Sequence, residues 1–230
     1  MKKSKLIRYF LRDLRNKFKF FLIKLKLKKG YEPNKNIQKI NIGGGEWSKN
    51  NWENLDIIYN YKLEIELLKP FKDNNIDLIY TSHCIEHLSF DTTLNLLKDA
   101  YRVLKKNGII RIVVPDVDNL LKIYNQHKNE KDFKFYSDEI RGNYNLKESI
   151  LELFGFNLNS KKFLKNSMHL SFYNISSLKL LLIAAGFENF KIQSYGVSDI
   201  DEFQITREIS TDGFDNPDVK YMSLYLEAKK

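Results

Sequence analysis

The chain has 230 residues, 43% of them hydrophobic, with four prolines and 38 Lys/Arg against 29 Asp/Glu, a net charge of +9. That length suffices for one well-buried domain and an appendage, and the lone cysteine, Cys84, excludes an internal disulfide and points to a reducing compartment or no redox role. The charge is uneven: residues 1–29 hold twelve Lys/Arg and one acid, Asp13, a net of +11, so the remainder sums to −2 and nothing in it recommends nucleic acid as a partner.

Residues 1–29 read as a basic amphipathic helical extension. Ile7, Phe10, Leu11, Leu14, Phe18, Phe21, Leu22 and Leu25 recur at helical spacing, while Lys5, Arg8, Arg12, Arg15, Lys19 and Lys26 fall away from that face. The uncharged run Phe20–Ile23 is far short of the ~20 apolar residues of a membrane span, and no cleavable signal pattern follows. Such a helix serves either an anionic membrane surface or a packing face on protein. Gly30 and Pro33 mark the boundary with a single domain over residues 30–230.

Within the domain, strands are expected at Ile37–Ile42, Trp52–Ile57, Leu63–Leu67, Asp77–Thr81, Ile109–Val114, Phe190–Tyr195 and Met222–Ala228. Helices are expected at Asp91–Lys106, capped by Asp91 and stopped by Asn107-Gly108, at Asp118–Tyr124, and at Ser176–Ala185 with Gly186 as its stop. Residues 127–170 read as a polar, aromatic insertion on the substrate side, with a short helix near Lys147–Phe154. Alternating strands and helices predict an α/β, Rossmann-like doubly wound and mostly parallel sheet, with an antiparallel pair among the last strands.

The organising stretch is Lys39–Asp56. A short apolar strand runs into Gly43-Gly44-Gly45, and Asp56 follows eleven residues after Gly45. Glycines let the chain turn sharply beneath a nucleoside, and an acid after the next strand accepts from ribose hydroxyls.

Six blocks in order carry a resemblance. They are INIGGG (40–45), NWENLD (51–56), FKDNNIDLIYTSHCIEHL (71–88), YRVLKKNGIIRIVVPD (101–116), HLSFYNISSLKLLLIAAGF (169–187) and SLYLEAKK (223–230). Together they resemble the class I S-adenosylmethionine-dependent methyltransferases, and more narrowly a group of small bacterial predicted methyltransferases found with surface-polysaccharide genes. The resemblance implies S-adenosylmethionine as cofactor. It implies that Gly43, Gly44 and Gly45 line its methionine and ribose portion, that Asp56 holds the ribose, that Glu66 and Leu67 lie near the adenine, and that His83 faces the sulfonium. Two departures stand out: Trp47 replaces a third glycine, and the stretch from Gly45 to Asp56 is short.

Rival patterns are present. His83-Cys84-Ile85-Glu86-His87 matches H-x-x-E-H, but zinc chemistry needs both histidines on one helical face. A strand precedes this segment and a helix start follows it, so it is placed in a loop and no metal is expected. Asp116-Val117-Asp118 matches the D-x-D of metal-dependent glycosyltransferases and equally suits the entry of a helix. An NAD fingerprint would want glycine where Ser48 stands. For methyl transfer to a hydroxyl, a general base is needed, and His83, His87 and His169, with Glu86 as orienting partner or alternative base, are the candidate catalytic residues. The expectation is an enzyme that O-methylates a sugar or other small hydroxyl acceptor in glycan biosynthesis. It would be cytoplasmic, with peripheral membrane contact through residues 1–29. The alternative is a catalytically silent cofactor-binding scaffold.

Overall fold

Along each strand successive residues point to opposite sides of the sheet, and the two sides are built differently. The structure, a computed structural model, describes residues 36–44, 51–55, 68–127, 129, 137–138, 142–143, 169–204 and 223–230. The elements are β1 (Lys39–Ile42), β2 (Trp52–Leu55), β3 (Ile76–Ser82), α1 (Phe90–Val103), β4 (Leu104–Pro115), α2 (Val117–His127), β5 (Ser137–Asp138), β6 (Gly142–Asn143), α3 (Ile175–Ala185), β7 (Glu188–Gln193) and β8 (Ser223–Lys229). Six strands form one sheet in the order β2-β1-β3-β4-β8-β7, and β5 pairs with β6 separately. β2, β1, β3 and β4 are parallel. β8 runs antiparallel to both its neighbours, so the expected reversal lies inside the sheet and β7 forms the edge. This is the expected Rossmann-like, mostly parallel sheet.

On the helix-covered face Ile40, Ile79, Ile112 and Leu226 are fully buried against Leu97 and Ala100 of α1 and Leu178 and Leu182 of α3. Each such Leu or Ile contributes about 1.5–3 kcal/mol. On the opposite face a smaller cluster of Trp52, Leu78, Tyr80, Val113 and Tyr225 closes over Phe203. Arg111 and Glu227, directly opposite in the β4–β8 register, also lie on that face and form a buried ion pair at 2.5 Å. β-Branched residues such as Ile109, Ile110, Ile112, Val113 and Val114 suit a strand buried on both sides.

Several boundaries differ from expectation. α1 starts at Phe90 and its N-cap is Ser89, whose Oγ accepts from Thr92 N at 3.2 Å, not Asp91. α1 ends at Val103 instead of Lys106, because Leu104 is already extended and pairs with Ile76 of β3. The helix carbonyls are met by neighbours: Asn74 N and Asn75 N donate to Arg102 O and Val103 O at 3.1 and 2.8 Å. Asn107 does adopt the left-handed conformation, φ 68°, but as a turn within β4, after which the β3 pairing resumes at Leu78 and Ile109. α3 closes as expected on Gly186 at φ 105° and starts with a capping box between Asn174 and Ser177. β7 comes two residues early, at Glu188–Gln193. The strand expected at Leu63–Leu67, the helix near Lys147–Phe154 and the basic helix of residues 1–29 lie outside the described residues. Among the described residues, no helix is long and apolar enough to cross a membrane.

Candidate functional site

The carboxyl ends of β1, β3 and β4 and the start of the reversed β8 meet at one edge of the sheet. At the end of β1, Gly43 turns the chain at φ 76°, and its N–H donates to Leu55 O of β2 at 2.6 Å. A Cβ on Gly43 would overlap Cys84 Sγ, so the turn after β1 and the loop after β3 are in contact through a position only glycine can fill. A Cβ on Gly44 would overlap Asn41 Nδ2 and Asn54 Oδ1, which bond to each other at 3.2 Å beneath it. Gly43 and Gly44, two of the residues expected to line the cofactor, form this turn. Gly45, Asp56, Glu66 and Leu67 lie outside the described residues.

β3 ends at Ser82, and His83 reverses the chain in the left-handed conformation at φ 48°, with its N–H on Val113 O at 2.9 Å. One turn of 3₁₀-helix follows at Ile85–His87. The strain of a non-glycine residue there aims the loop back over the sheet edge. His83 Nε2 meets Ser223 Oγ of β8 at 3.0 Å, and its Nδ1 lies 3.3 Å from Glu86 Oε1. That second contact is a close approach without hydrogen-bond alignment, since neither Glu86 oxygen has a hydrogen-bond partner among the described residues.

Glu86 is 1% exposed. Burial pushes its carboxyl upward, but the contact with His83 and the electrostatic influence of His83, His87 and His169 outweigh burial and hold it below the ordinary carboxylate value. It therefore stays an acceptor-only carboxylate. His87 and His169 pack edge to face, ring centroids 4.8 Å apart. One side-chain ligand atom from each of Glu86, His87 and His169 lies within 4.8 Å of the other two. The structure thus brings all four expected catalytic residues together.

His169 is far off in sequence and is carried there by main-chain bonds: Leu170 N and Ser171 N both donate to Glu86 O, at 2.7 and 3.1 Å. A buried polar network locks the contact. Ser171 Oγ donates to Leu88 O at 2.9 Å and meets Tyr173 OH at 2.8 Å, and Tyr173 OH reaches Thr93 Oγ1 of α1 at 3.2 Å. Burial pushes the Tyr173 hydroxyl up, so it remains neutral. Val117 N on Tyr173 O at 3.0 Å ties the same segment to the end of β4.

Sequence reasoning missed Ser171, Tyr173 and Ser223. A signal for the first two exists, since in HLSFY the small polar and phenolic residues are buried while Leu170 and Phe172 are exposed, an inverted alternation. Ser223 carries no local signal. It arrives only through the antiparallel register that sets it opposite Pro115. The Asp116–Asp118 pair sits at the entry of α2, with Asp118 N donating to Asp116 Oδ1 at 3.1 Å, an arrangement a helix start accounts for.

A family model described as "Methyltransferase domain" matches residues 46–112, which run from just past the described glycine turn through Glu86 and His87 into β4. An uncharacterized protein of Methanocaldococcus jannaschii is 38% identical over 61 residues, 26% of this chain, and the match spans about a quarter (26%) of that relative's length. Among solved structures, a SAM-dependent methyltransferase from Archaeoglobus fulgidus is similar with TM-score 0.46 and 19% identity over 96% of this chain and 99% of that one. A SAM-dependent methyltransferase from Thermotoga maritima is similar with TM-score 0.44 and 17% identity over 98% and 96%. The glycine-only turn at the carboxyl end of β1, with a loop of polar residues beside it, fits a nucleoside cofactor on this kind of sheet. Residues 46–112, on this Rossmann-like sheet, are thus similar to a methyltransferase domain.

Proposed function

We propose that the protein methylates a hydroxyl oxygen of a sugar or other small acceptor in glycan biosynthesis. The observation that carries this reading is the buried Glu86 ringed by His83, His87 and His169 beside the glycine turn. Bound there, S-adenosylmethionine would supply an electrophilic methyl on its sulfonium, with S-adenosylhomocysteine as the leaving group when the acceptor oxygen takes that methyl. Gly43 and Gly44, with Gly45, Asp56, Glu66 and Leu67 beyond the described residues, would hold that cofactor.

The chain's own work is to position the acceptor oxygen in line, at about 3–3.5 Å, and to take its proton. Imidazole has the right basicity, and Glu86 supports the positive charge that then develops on it. Exposed Leu170 and Phe172 offer apolar surface next to His169 on which a sugar ring can rest.

The protein further acts at the inner face of a membrane in surface-polysaccharide construction, docked by the basic residues 1–29. The segregation of +11 into those residues supports this.

The test is transfer of labelled methyl from S-adenosylmethionine to a panel of sugars and glycan precursors, beside calorimetry with S-adenosylhomocysteine. Asp56→Ala is expected to weaken S-adenosylhomocysteine binding at least tenfold, about 1.4 kcal/mol. Unchanged affinity in that variant removes the cofactor assignment, and labelling of amines in place of hydroxyls removes the acceptor assignment.

A further inference from the structure

We infer that Glu86, His87 and His169 form a binding site for a divalent transition-metal cation, through which the acceptor's oxygen is held. This rests on the methyltransferase reading of the same site and changes how the acceptor is gripped.

The argument starts from Glu86. Its carboxylate is 1% exposed and neither oxygen makes a hydrogen bond among the described residues. A buried anion in that condition calls for a cation or a full set of donors. The imidazoles of His87 and His169 stand over it, ring against ring at 4.8 Å, and one donor atom from each of the three residues lies within 4.8 Å of the others. Metal bonds of about 2.1 Å set neighbouring ligand atoms about 3 Å apart, so small rotations of the two rings close the set.

The backbone is already fixed for this. Leu170 N and Ser171 N hold the 169–171 segment on Glu86 O, and the Ser171–Tyr173–Thr93 network anchors it to α1. His83 is not part of the set. Its Nε2 is on Ser223 and its Nδ1 faces Glu86 Oε1, the place of an outer partner that orients a ligating carboxylate. The H-x-x-E-H motif is thus split, with His83 outside and His169 taking the place a helical motif would have given to it.

Two imidazole nitrogens and one carboxylate oxygen suit Zn²⁺, Mn²⁺, Fe²⁺, Co²⁺ or Ni²⁺, whereas Mg²⁺ and Ca²⁺ prefer all-oxygen shells. Three protein ligands leave coordination positions open for a hydroxyl oxygen of the acceptor.

The experiment uses the full chain, stripped with chelator and titrated separately with MnCl₂, NiCl₂ and ZnCl₂ by calorimetry, with elemental analysis after dialysis. One equivalent per chain is expected for at least one ion, with affinity at least tenfold lower in both His87→Ala and His169→Ala. Thermal melts confirm that each variant is folded. Glu86→Gln, which keeps the side chain's shape, should behave likewise. Absence of one-equivalent binding in the wild type, or equal binding in folded His87→Ala and His169→Ala, overturns the site. S-adenosylhomocysteine titrations on the same samples separate the two readings. Cofactor binding without metal binding sinks only the cation site, and metal binding without cofactor binding sinks the methyltransferase reading instead.

Discussion

Gly43 shows how a single backbone position couples the two halves of the site. Its φ of 76° is one that side chains rarely adopt, and any Cβ there would meet Cys84, itself buried beneath the loop that presents Glu86. Gly43→Ala combines left-handed strain with that overlap, so a stability loss of roughly 1–3 kcal/mol is expected, seen as a lower melting temperature. S-adenosylhomocysteine binding should also weaken by more than tenfold. A variant with wild-type melting and wild-type affinity would show that the turn has no such role. At this scale the sequence was legible where the chemistry was local: Gly43, His83, Glu86 and His87 are adjacent to strand ends that hydrophobic runs announce. Ser171 and Ser223 were not legible, because their importance comes from partners 83 and 140 residues away.

Between elements, the strongest polar coupling is the Arg111–Glu227 pair that stitches β4 to β8. Arg111 donates to Glu227 Oε1, to Val197 O at 2.9 Å and to Ser194 O at 3.1 Å, while Ser198 and Gln193 donate to the same carboxylate. The pair therefore also fastens the 193–200 segment over the face that carries Phe203. Burial pushes the neighbouring Tyr225 hydroxyl up to about 12, so it stays neutral beside the guanidinium. Arg111→Met strands a buried carboxylate and should cost about 3–5 kcal/mol, measured by urea unfolding. The double replacement Arg111→Met with Glu227→Leu should recover a large part of that loss. Equal losses in the single and double variants would mean that the ion pair is not coupled. Alternation in RIVV and YLEA marks both charges as inward, against their polarity. Their meeting depends on β8 running backwards beside β4, which no local pattern states. The misplaced end of α1 has the same origin, since pairing of Leu104 with Ile76 overrides three residues of helical pattern.

Across the whole molecule, the charge is divided as sharply as the structure. The +11 of residues 1–29 against −2 elsewhere gives the proposed membrane contact a direct test. Each Lys or Arg near an anionic bilayer contributes about 1 kcal/mol, screened by salt. Full-length protein should pellet with anionic vesicles and not with neutral ones, release in high salt, and lose binding when residues 1–29 are removed. Retention in the supernatant, with a changed oligomeric state on deletion, would assign the segment to protein packing. The order of strands was readable in outline from the alternation of elements and the six sequence blocks, whereas the position of the last strand was not. That position has a consequence for synthesis. Among the described strands of this sheet, residues 223–229 leave the ribosome after all the others, yet they fill the slot between β4 and β7. Until they emerge, β7 has no neighbour among the described strands and β4 lacks its partner on that side, so a nascent chain stalled short of them presents two templates for self-association. Ser223, the first residue of that strand, is also the partner of His83. The cluster around Glu86 is therefore completed by the same insertion that seals the sheet, and no partly made chain can hold the finished site.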